Sequence, residues 1–436
     1  MGSSPVSVTN IMEQKWIVLL IVIAMYGFVI AFPGKKALTS LAAAALIITI
    51  GIISPLKAAA FVNWSVLLIY IGSLILAELF IYSKVPARIA DNIVLNTPNT
   101  GIAIVLLLII TGLISAFVEN VATVLVMAPV ALALCAKLKM NPTRFMIGLA
   151  VMANLQGTAT LVGDPPSMIF ASYANYGFND FFIHNGKLSI FFIVQIGMLA
   201  GAAYFLYYFS RENKTKIGIE KGPVLSSVPS ILLILMIFGL AVISFFHSGI
   251  SLVSGLMVMG LGIAGLVWFL VIRKEGLSQT IGLIKRLDWE TILFLIGIFI
   301  VIGTLPETGL LEDLVDLLAQ LVGSSVLLGF ITVIIVSIII SGFVDNVPYI
   351  IAMLPVFSSL AIRLDLKPEL YMFALLIGSC LGGNLTPFGA SANIATVGIL
   401  KKEGVNVSFR GWLKIGVPFT LITTTAASLL LWFLWR

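Results

Sequence analysis

The chain has 436 residues, of which 60% are hydrophobic and 10% charged, with a formal net charge of +6. A soluble globular chain carries about 25% charged residues, so this composition excludes a soluble enzyme or a nucleic-acid binder and reads as a polytopic membrane protein. Two cysteines, Cys135 and Cys380 in apolar context, exclude a disulfide framework and a thiol-rich metal site, and no cofactor or metal is expected.

The stretch from Met1 to Asn10 lacks a basic n-region and a small-residue cleavage site. The first apolar run, from Trp16, is therefore expected to stay in the membrane. Runs long enough to cross a core of roughly 30 Å fall near 16–33, 38–55 and 64–82. An amphipathic piece at 84–95, with Lys84, Arg88 and Asp91, reads as interfacial. The apolar block 101–138 is interrupted at Glu119 and Asn120. Its arms, 102–117 and 121–137, each span roughly 24 Å at 1.5 Å per residue, slightly short of a crossing. The pattern predicts a re-entrant helical hairpin with Glu119 and Asn120 at its tip. Segment 143–178 is broken between Gly157 and Pro166 by two glycines and two prolines, which interrupt a helix in mid-span. The first half closes with a span at 188–209. A charged stretch at 211–221 then leads through a cytoplasmic linker assigned to 214–225.

The second half repeats this plan. Spans are expected near 229–246, 251–272 and 290–306, then an acidic interfacial piece at 307–316. A hairpin at 326–362 is broken at Asp345 and Asn346, and a discontinuous span at 369–399 is centred on Gly382 to Ser391. The last span is 412–435. Placing 115–169 on 341–395, at an offset of 226, gives 17 identities in 55 positions, among them Asn120/Asn346, Gly157/Gly383, Thr160/Thr386 and Gly163/Gly389. Trp64 and Gly72 match Trp289 and Gly297 at an offset of 225. The chain thus divides into a first repeat, 1–213, and a second, 226–436. Each holds five crossings and one hairpin, and an odd number of crossings turns the second copy upside down. The predicted fold is an all-α polytopic inverted repeat with discontinuous helices meeting at the midplane, the pattern of secondary transporters.

Orientation is read from the basic residues. Of 25 lysines and arginines, 19, including Lys36, fall on the face reached after the first span, and 6 on the other. That face is assigned to the cytoplasm, which puts both termini outside the cytoplasmic membrane. The first hairpin then enters from the cytoplasm and the second from outside, so that their tips converge.

Backbone polar groups at membrane depth are tolerated only where they are buried in protein or line an aqueous cavity. Two tips and two unwound centres aimed at one region therefore mark a transport site. Glu119 and Asp345 are candidates for ion binding and proton exchange; helix capping is the competing structural role for each. Asp164 is well placed to cap the half-helix that begins with Pro165. Its counterpart is Ala390, so the fold alone does not demand a carboxylate there, and Asp164 is a candidate proton carrier. Asn120, Thr123, Thr158, Thr160, Asn346, Asn384, Thr386 and Ser391, with carbonyls around Gly157 and Gly383, offer neutral oxygens, although satisfying broken backbone would use some of them. Glu78, Glu307 and Gln195 read as structural or interfacial, and His184 and His247 carry no signal.

The residues Glu119-Asn120-Val-Ala-Thr123, Asn154-x-x-Gly157-Thr158-Ala-Thr160-x-x-Gly163-Asp164-Pro-Pro, Asp345-Asn346-Val-Pro and Gly382-Gly383-Asn384-x-Thr386-x-x-Gly389-Ala390-Ser391 resemble the ion-transporter superfamily. Within it the chain looks most similar to the branch of arsenite/antimonite permeases, NhaD-type sodium/proton antiporters and the melanosomal P protein. The resemblance implies a scaffold of outer spans and a moving domain of hairpins and broken helices, working as an elevator. It also implies a homodimer in some relatives and, for an arsenite permease, a soluble ATPase partner. Related dicarboxylate symporters carry Ser-Asn-Thr at the hairpin tips, where this chain has Glu119-Asn120-Val121 and Asp345-Asn346-Val347, and two acidic tips disfavour an anionic cargo. The function expected is proton-coupled export of arsenite or antimonite, read as a neutral hydroxide. The alternative is sodium/proton antiport, and anion symport ranks below both. An intramembrane aspartyl protease built on Asp164 and Asp345 would leave the repeat without a purpose, as would a passive channel.

Overall fold

A computed structural model of the chain describes residues 5–97, 99–209, 222–322 and 325–436, and these are predominantly helical. Residues 214–221 of the expected linker lie outside the described residues. The first half contains α1 (Pro5–Ala31), α2 (Lys36–Thr49), α3 (Pro55–Phe61), α4 (Trp64–Ser83) and α5 (Val85–Asn96). It continues with α6 (Thr100–Ser115), α7 (Asn120–Leu138), α8 (Thr143–Gly157), α9 (Pro165–Ala174) and α10 (Ile190–Phe209). The second half opens with α11 (Val228–Phe246), α12 (Leu252–Val267, prolonged by a π-turn over Trp268–Ile272), α13 (Leu277–Arg286), α14 (Trp289–Gly303), α15 (Leu305–Thr308) and α16 (Leu310–Val322). Then come α17 (Val326–Ser341), α18 (Asn346–Arg363), α19 (Glu369–Gly382), α20 (Ser391–Lys402) and α21 (Phe409–Trp435).

Among the described residues, eight helices are long and apolar enough to cross a membrane: α1, α4, α7, α10, α11, α12 with its π-turn, α18 and α21. Their outward faces are apolar, as at Leu20, Phe245 and Phe433, whereas α8 is buried from Phe145 to Gly157 and α19 along its whole length. The interrupted segments therefore form the centre of the molecule.

Most expected elements recur within a few residues, and the differences have local causes. The run 38–55 is split into α2 and α3, because Gly51 takes a positive φ and Ser54 caps α3 by accepting from the Lys57 N–H. Helices α7 and α18 continue through Pro129 and Pro355 and reach spanning length, while their partners α6 and α17 hold 16 residues each. Helix α13 was not expected; its ten residues mix polar Ser278, Gln279 and Thr280 and basic Lys285 and Arg286 with apolar ones and gave no long apolar run to find. The all-α expectation needs one correction. An antiparallel pair, β1 (Ile183–His184) and β2 (Lys187–Leu188), is joined at Asn185-Gly186, both with positive φ. Asn-Gly favours this kind of tight hairpin turn.

Packing exchanges elements between the halves. Helix α4 lies along α12 and α2 along α14. Equivalent glycines allow both approaches: a Cβ on Gly72 would sit 2.7 Å from the Val258 carbonyl oxygen, and one on Gly297 would sit 2.5 Å from Ser40 Oγ. Small residues at such crossings let backbones meet closely. Towards the centre, α6 packs on α8, α17 on α19 and α10 on α21; α9 meets α18, and α20 meets α7. Each hairpin is thus held against the broken helix of its own half and a half-helix of the other.

Candidate ion-binding site between the helix breaks

Four breaks in helical structure surround the site, at residues 116–119, 158–164, 342–345 and 383–390. Each hairpin tip is closed by its own acidic residue. Glu119 Oε2 accepts from the Ala122 N–H at 2.9 Å, and Asp345 Oδ1 accepts from the Val347 N–H at 3.2 Å. These are N-caps of α7 and α18, so the structural role considered for both carboxylates is present. Each cap uses one carboxylate oxygen and leaves the other for a further partner.

The unwound centres are tied to the tips by threonine. Thr160 Oγ1 donates to the Ala116 carbonyl, and at the equivalent place Thr386 Oγ1 donates to the Gly342 carbonyl at 2.5 Å. Both threonines are therefore committed to broken backbone. Thr158 donates to the Asn154 carbonyl and Thr123 to the Val118 carbonyl. Gly157 is required by crowding: a Cβ there would lie 2.2 Å from Asn120 Oδ1. Gly383 faces the Gly389 carbonyl at 2.9 Å on the same construction.

An amide chain joins the halves. Ser115 Oγ donates to Asn120 Oδ1 at 2.8 Å, and Asn154 Nδ2 donates at 2.8 Å to both Asn384 Oδ1 and Asn393 Oδ1. Asn393 Nδ2 in turn donates at 2.9 Å to the carbonyls of Gly383 and Thr386. Buried amides persist when their donors and acceptors are paired in this way. Asn384 is thereby largely spent within the protein, with Trp412 Nε1 also donating to its carbonyl at 3.0 Å. Gln156 and Gln195 pair with each other, in line with a structural reading of Gln195.

What remains open is a central cavity of about 20 Å³. It is lined by Glu119, Asn120, Asp164, Asp345, Asn346 and Ser391 from the expected set. The amides of Asn120 and Asn346, equivalent residues of the two tips, line this cavity together with the Asp164 carboxylate. Asp164 is 7% exposed and Glu119 8%. Among the described residues no three acidic, His or Cys side chains converge as a ready metal-binding group.

Five further polar or charged residues line this cavity that the sequence did not assign to it: Lys36, Tyr70, Asn154, Asp288 and Thr291. Tyr70 donates to Asp288 Oδ2 at 3.3 Å, and Asp288 Oδ1 caps α14 at the Thr291 N–H. Lys36 is the most consequential of the five. Counted from sequence as a lysine on the cytoplasmic face, it is 7% exposed, with Nζ 2.8 Å from Asp345 Oδ2. A lysine at the first turn of an apolar helix looks the same in sequence whether it faces water or the interior. Asp288 did leave a signal: at the offset of 225 its counterpart is Asn63, an amide that caps α4 in the same way at the Val66 N–H.

Beside the inner cavity opens a vestibule of about 730 Å³, lined mainly by apolar residues from α1, the second hairpin tip and α20, with Lys36, Asp288, Glu290 and Asp345 among them.

A family model described as citrate transporter (CitMHS) matches residues 17–356 and again 263–436. A 46 kDa membrane protein of Mycobacterium leprae is 30% identical over 431 residues, covering 95% of this chain and 98% of that protein. An uncharacterized transporter of Synechocystis is 27% identical over 386 residues, covering 84% and 85%. The P protein of Homo sapiens is 25% identical over 401 residues, covering 74% of this chain and 47% of that protein. The fold is similar to the crystal structure of the Alcanivorax borkumensis YdaH transporter, with a TM-score of 0.60 at 14% identity, covering 86% of this chain and 85% of that one. Matched from residue 17 to its last residue by one family model, the chain belongs to the CitMHS citrate-transporter family, within the ion-transporter superfamily, and is a multi-pass membrane transporter rather than an enzyme.

Proposed function

We propose that the protein is a proton-coupled secondary transporter that exports a small cation, sodium, in exchange for protons by alternating access. The observation that carries this reading is the cavity of about 20 Å³ between the tips. A water-sized particle needs roughly 10–15 Å³ on this measure, so the cavity holds one monatomic ion or water. Its lining supplies carboxylate and amide oxygens from Glu119, Asp164, Asp345, Asn120 and Asn346 and the hydroxyl of Ser391, a donor set suited to a hard cation. Asp164, which shares the cavity with the two tip amides and has alanine, Ala390, as its counterpart in the second half, is the primary proton carrier, with Glu119 and Asp345 as partners.

The supporting architecture is an inverted repeat, 1–213 and 226–436, whose hairpins enter from opposite faces with both termini outside the cytoplasmic membrane. Helices α6–α10 and α17–α21 move as an elevator against a scaffold of α1–α4 and α11–α14, in a homodimer. Arsenite or antimonite export, the cargo favoured by sequence, is the second reading. The wide vestibule supports it, since three hydroxyls exceed the inner cavity and need the tips to part. Citrate, named by the family description, would bring negative charge to four carboxylates and one lysine, and like-charge juxtaposition costs several kcal/mol.

Proteoliposomes with an imposed pH gradient test these readings by dye-reported proton movement on adding sodium, arsenite or citrate. A sodium response is expected. An arsenite response without a sodium response would shift the cargo to the second reading, and a response to citrate alone would overturn both.

A further inference from the structure

The inner cavity and the vestibule share a wall. Lys36, Asp288, Thr291, Asp345, Ala390 and Ser391 line both, and the Lys36–Asp345 ion pair at 2.8 Å crosses that wall. We propose that this ion pair is the gate between vestibule and inner site, and that the Lys36 ammonium is a tethered stand-in for the cargo cation, holding Asp345 when the site is empty. The inference rests on the cation–proton reading of that site for the identity of the competitor, but the gate itself does not.

The two partners belong to different packing units, which is what makes the pair a gate rather than a staple within one unit. Lys36 is the first residue of α2, and α2 is fixed to α14. The Ala37 N–H donates to Glu290 Oε1 at 2.9 Å, Ser40 Oγ donates to the Phe294 carbonyl at 3.3 Å, and the Lys36 ammonium lies 5.6 Å from the centre of the Phe294 ring. Asp345 stands at the tip of the second hairpin, where its Oδ1 is engaged in capping α18. Its Oδ2 is the oxygen left for a cation, and Lys36 occupies it. Tyr26 of α1 donates to the Pro348 carbonyl at 2.7 Å, two residues beyond Asn346, so the tip is docked on the first spans by two contacts.

The groups facing the ammonium are Asp345, Asp288, Glu290 and Glu119. Among the described residues Lys36 is the single basic residue lining either cavity, and it is the positive charge that the lining carboxylates face there. The first half offers no copy of the pair. At offsets of 225 and 226, Lys36 falls on Leu261 and Gly262, and the tip residue equivalent to Asp345, Glu119, therefore has no lysine from α12. The pair is largely withdrawn from solvent, with side-chain exposure of 9% for Lys36 and 22% for Asp345; a charge-assisted pair of this kind is strong while intact, and removal of one partner leaves the other uncompensated. A cation reaching the inner site must therefore take over Asp345 as Lys36 leaves it, which links cargo binding to release of the tip. When cargo departs, Lys36 neutralises Asp345 again, so the empty carrier can return without an unpaired buried charge.

The test uses the full-length protein in proteoliposomes with Val347→Cys as reporter. Val347 lines the inner cavity but not the vestibule and is 4% exposed; both native cysteines are buried. A small membrane-impermeant methanethiosulfonate reads access without any cargo. In sodium-free buffer, labelling should be at least about fivefold faster with Lys36→Gln than with Lys36 or Lys36→Arg. Adding sodium should accelerate labelling only where the cation at position 36 is kept. In flux measurements Lys36→Gln should lower the half-saturating sodium roughly tenfold, as loss of a charge-assisted competitor would. It should also keep sodium–sodium exchange while net flux falls at least about tenfold. Equal labelling of Lys36→Gln and the parent, or exchange and net flux falling together, would overturn the proposal. Should Lys36→Gln fail to fold, Asp345→Asn releases the same tip from the other side and must show the same faster labelling. A labelling difference without any sodium response would leave the gate standing and remove sodium as the competitor.

Discussion

The two halves build the same scaffold around the site, yet they furnish it differently. In both, an acidic residue caps the tip helix, a threonine of the unwound centre holds the tip carbonyl, and a glycine of the break makes room for the neighbouring chain. Chemistry enters where the copies diverge. Asp164 stands opposite Ala390, Asn154 opposite Cys380, Ser167 opposite Asn393 and Thr158 opposite Asn384. Lys36 has no counterpart, and Asp288 replaces an asparagine. The shared features satisfy broken backbone inside a bilayer, which both halves must do. The divergent ones put the Asp164 carboxylate, the Lys36 ammonium and the Asn154 amide into a single shared cavity.

Breaking the charged divergent features should cost transport, while breaking the asparagine bridge or the shared features that hold broken backbone should cost stability. The largest effect is expected from Asp164→Asn, which should abolish proton-coupled flux in proteoliposomes while the protein still reaches the membrane. Wild-type coupling would overturn Asp164 as the proton carrier. Next come Gly157→Ala and Asn154→Ala. The first forces the Asn120 amide aside, with an overpacking cost of about 1–3 kcal/mol. The second leaves buried amide oxygens of Asn384 and Asn393 without their donor, at about 1–3 kcal/mol. Thermal unfolding in detergent checks both, and Cys380→Ala, the counterpart of Asn154→Ala, should lose markedly less. Smaller still, Thr160→Val and Thr386→Val should each cost ~1 kcal/mol; an unequal pair would show that the two tips are not held alike.

The smallest effect lies in the β1–β2 loop, outside the spans. Burial there disfavours the charged His184 ring, but the hydrogen bond to Asp180 and the Glu369 carboxylate 3.7 Å from Nε2 outweigh it and hold the ring at about 9. A group whose pKa is raised by folding adds stability that is complete below its ordinary value of about 6.5 and is lost as pH rises through about 9. His184→Gln should therefore lower the melting temperature at pH 6 and leave it nearly unchanged at pH 10. An equal drop at both would assign His184 to packing against Tyr176, whose ring centroid lies 4.1 Å away.

Apolar run length, paired glycines and prolines and the duplicated Asn-Val motifs fixed the order of spans, the hairpins and the breaks, because each depends on chain-local physics: hydrocarbon thickness, a missing N–H or a crowded backbone. Glu119, Asn120, Asp345 and Asn346 could be named from sequence because the repeat pairs them, and Asp164 and Ser391 because they lie beside the unwound centres; one cavity is lined by all six. Lys36, Tyr70 and Asp288 could not. They reach the cavity through the packing of α2 on α14 and the neighbouring approach of α4, contacts between residues more than 200 positions apart. Whether Lys36 is a loop charge facing water or a buried partner of Asp345 depends on which helix lies alongside it. Local pattern carries no record of that, and the tertiary structure decided it.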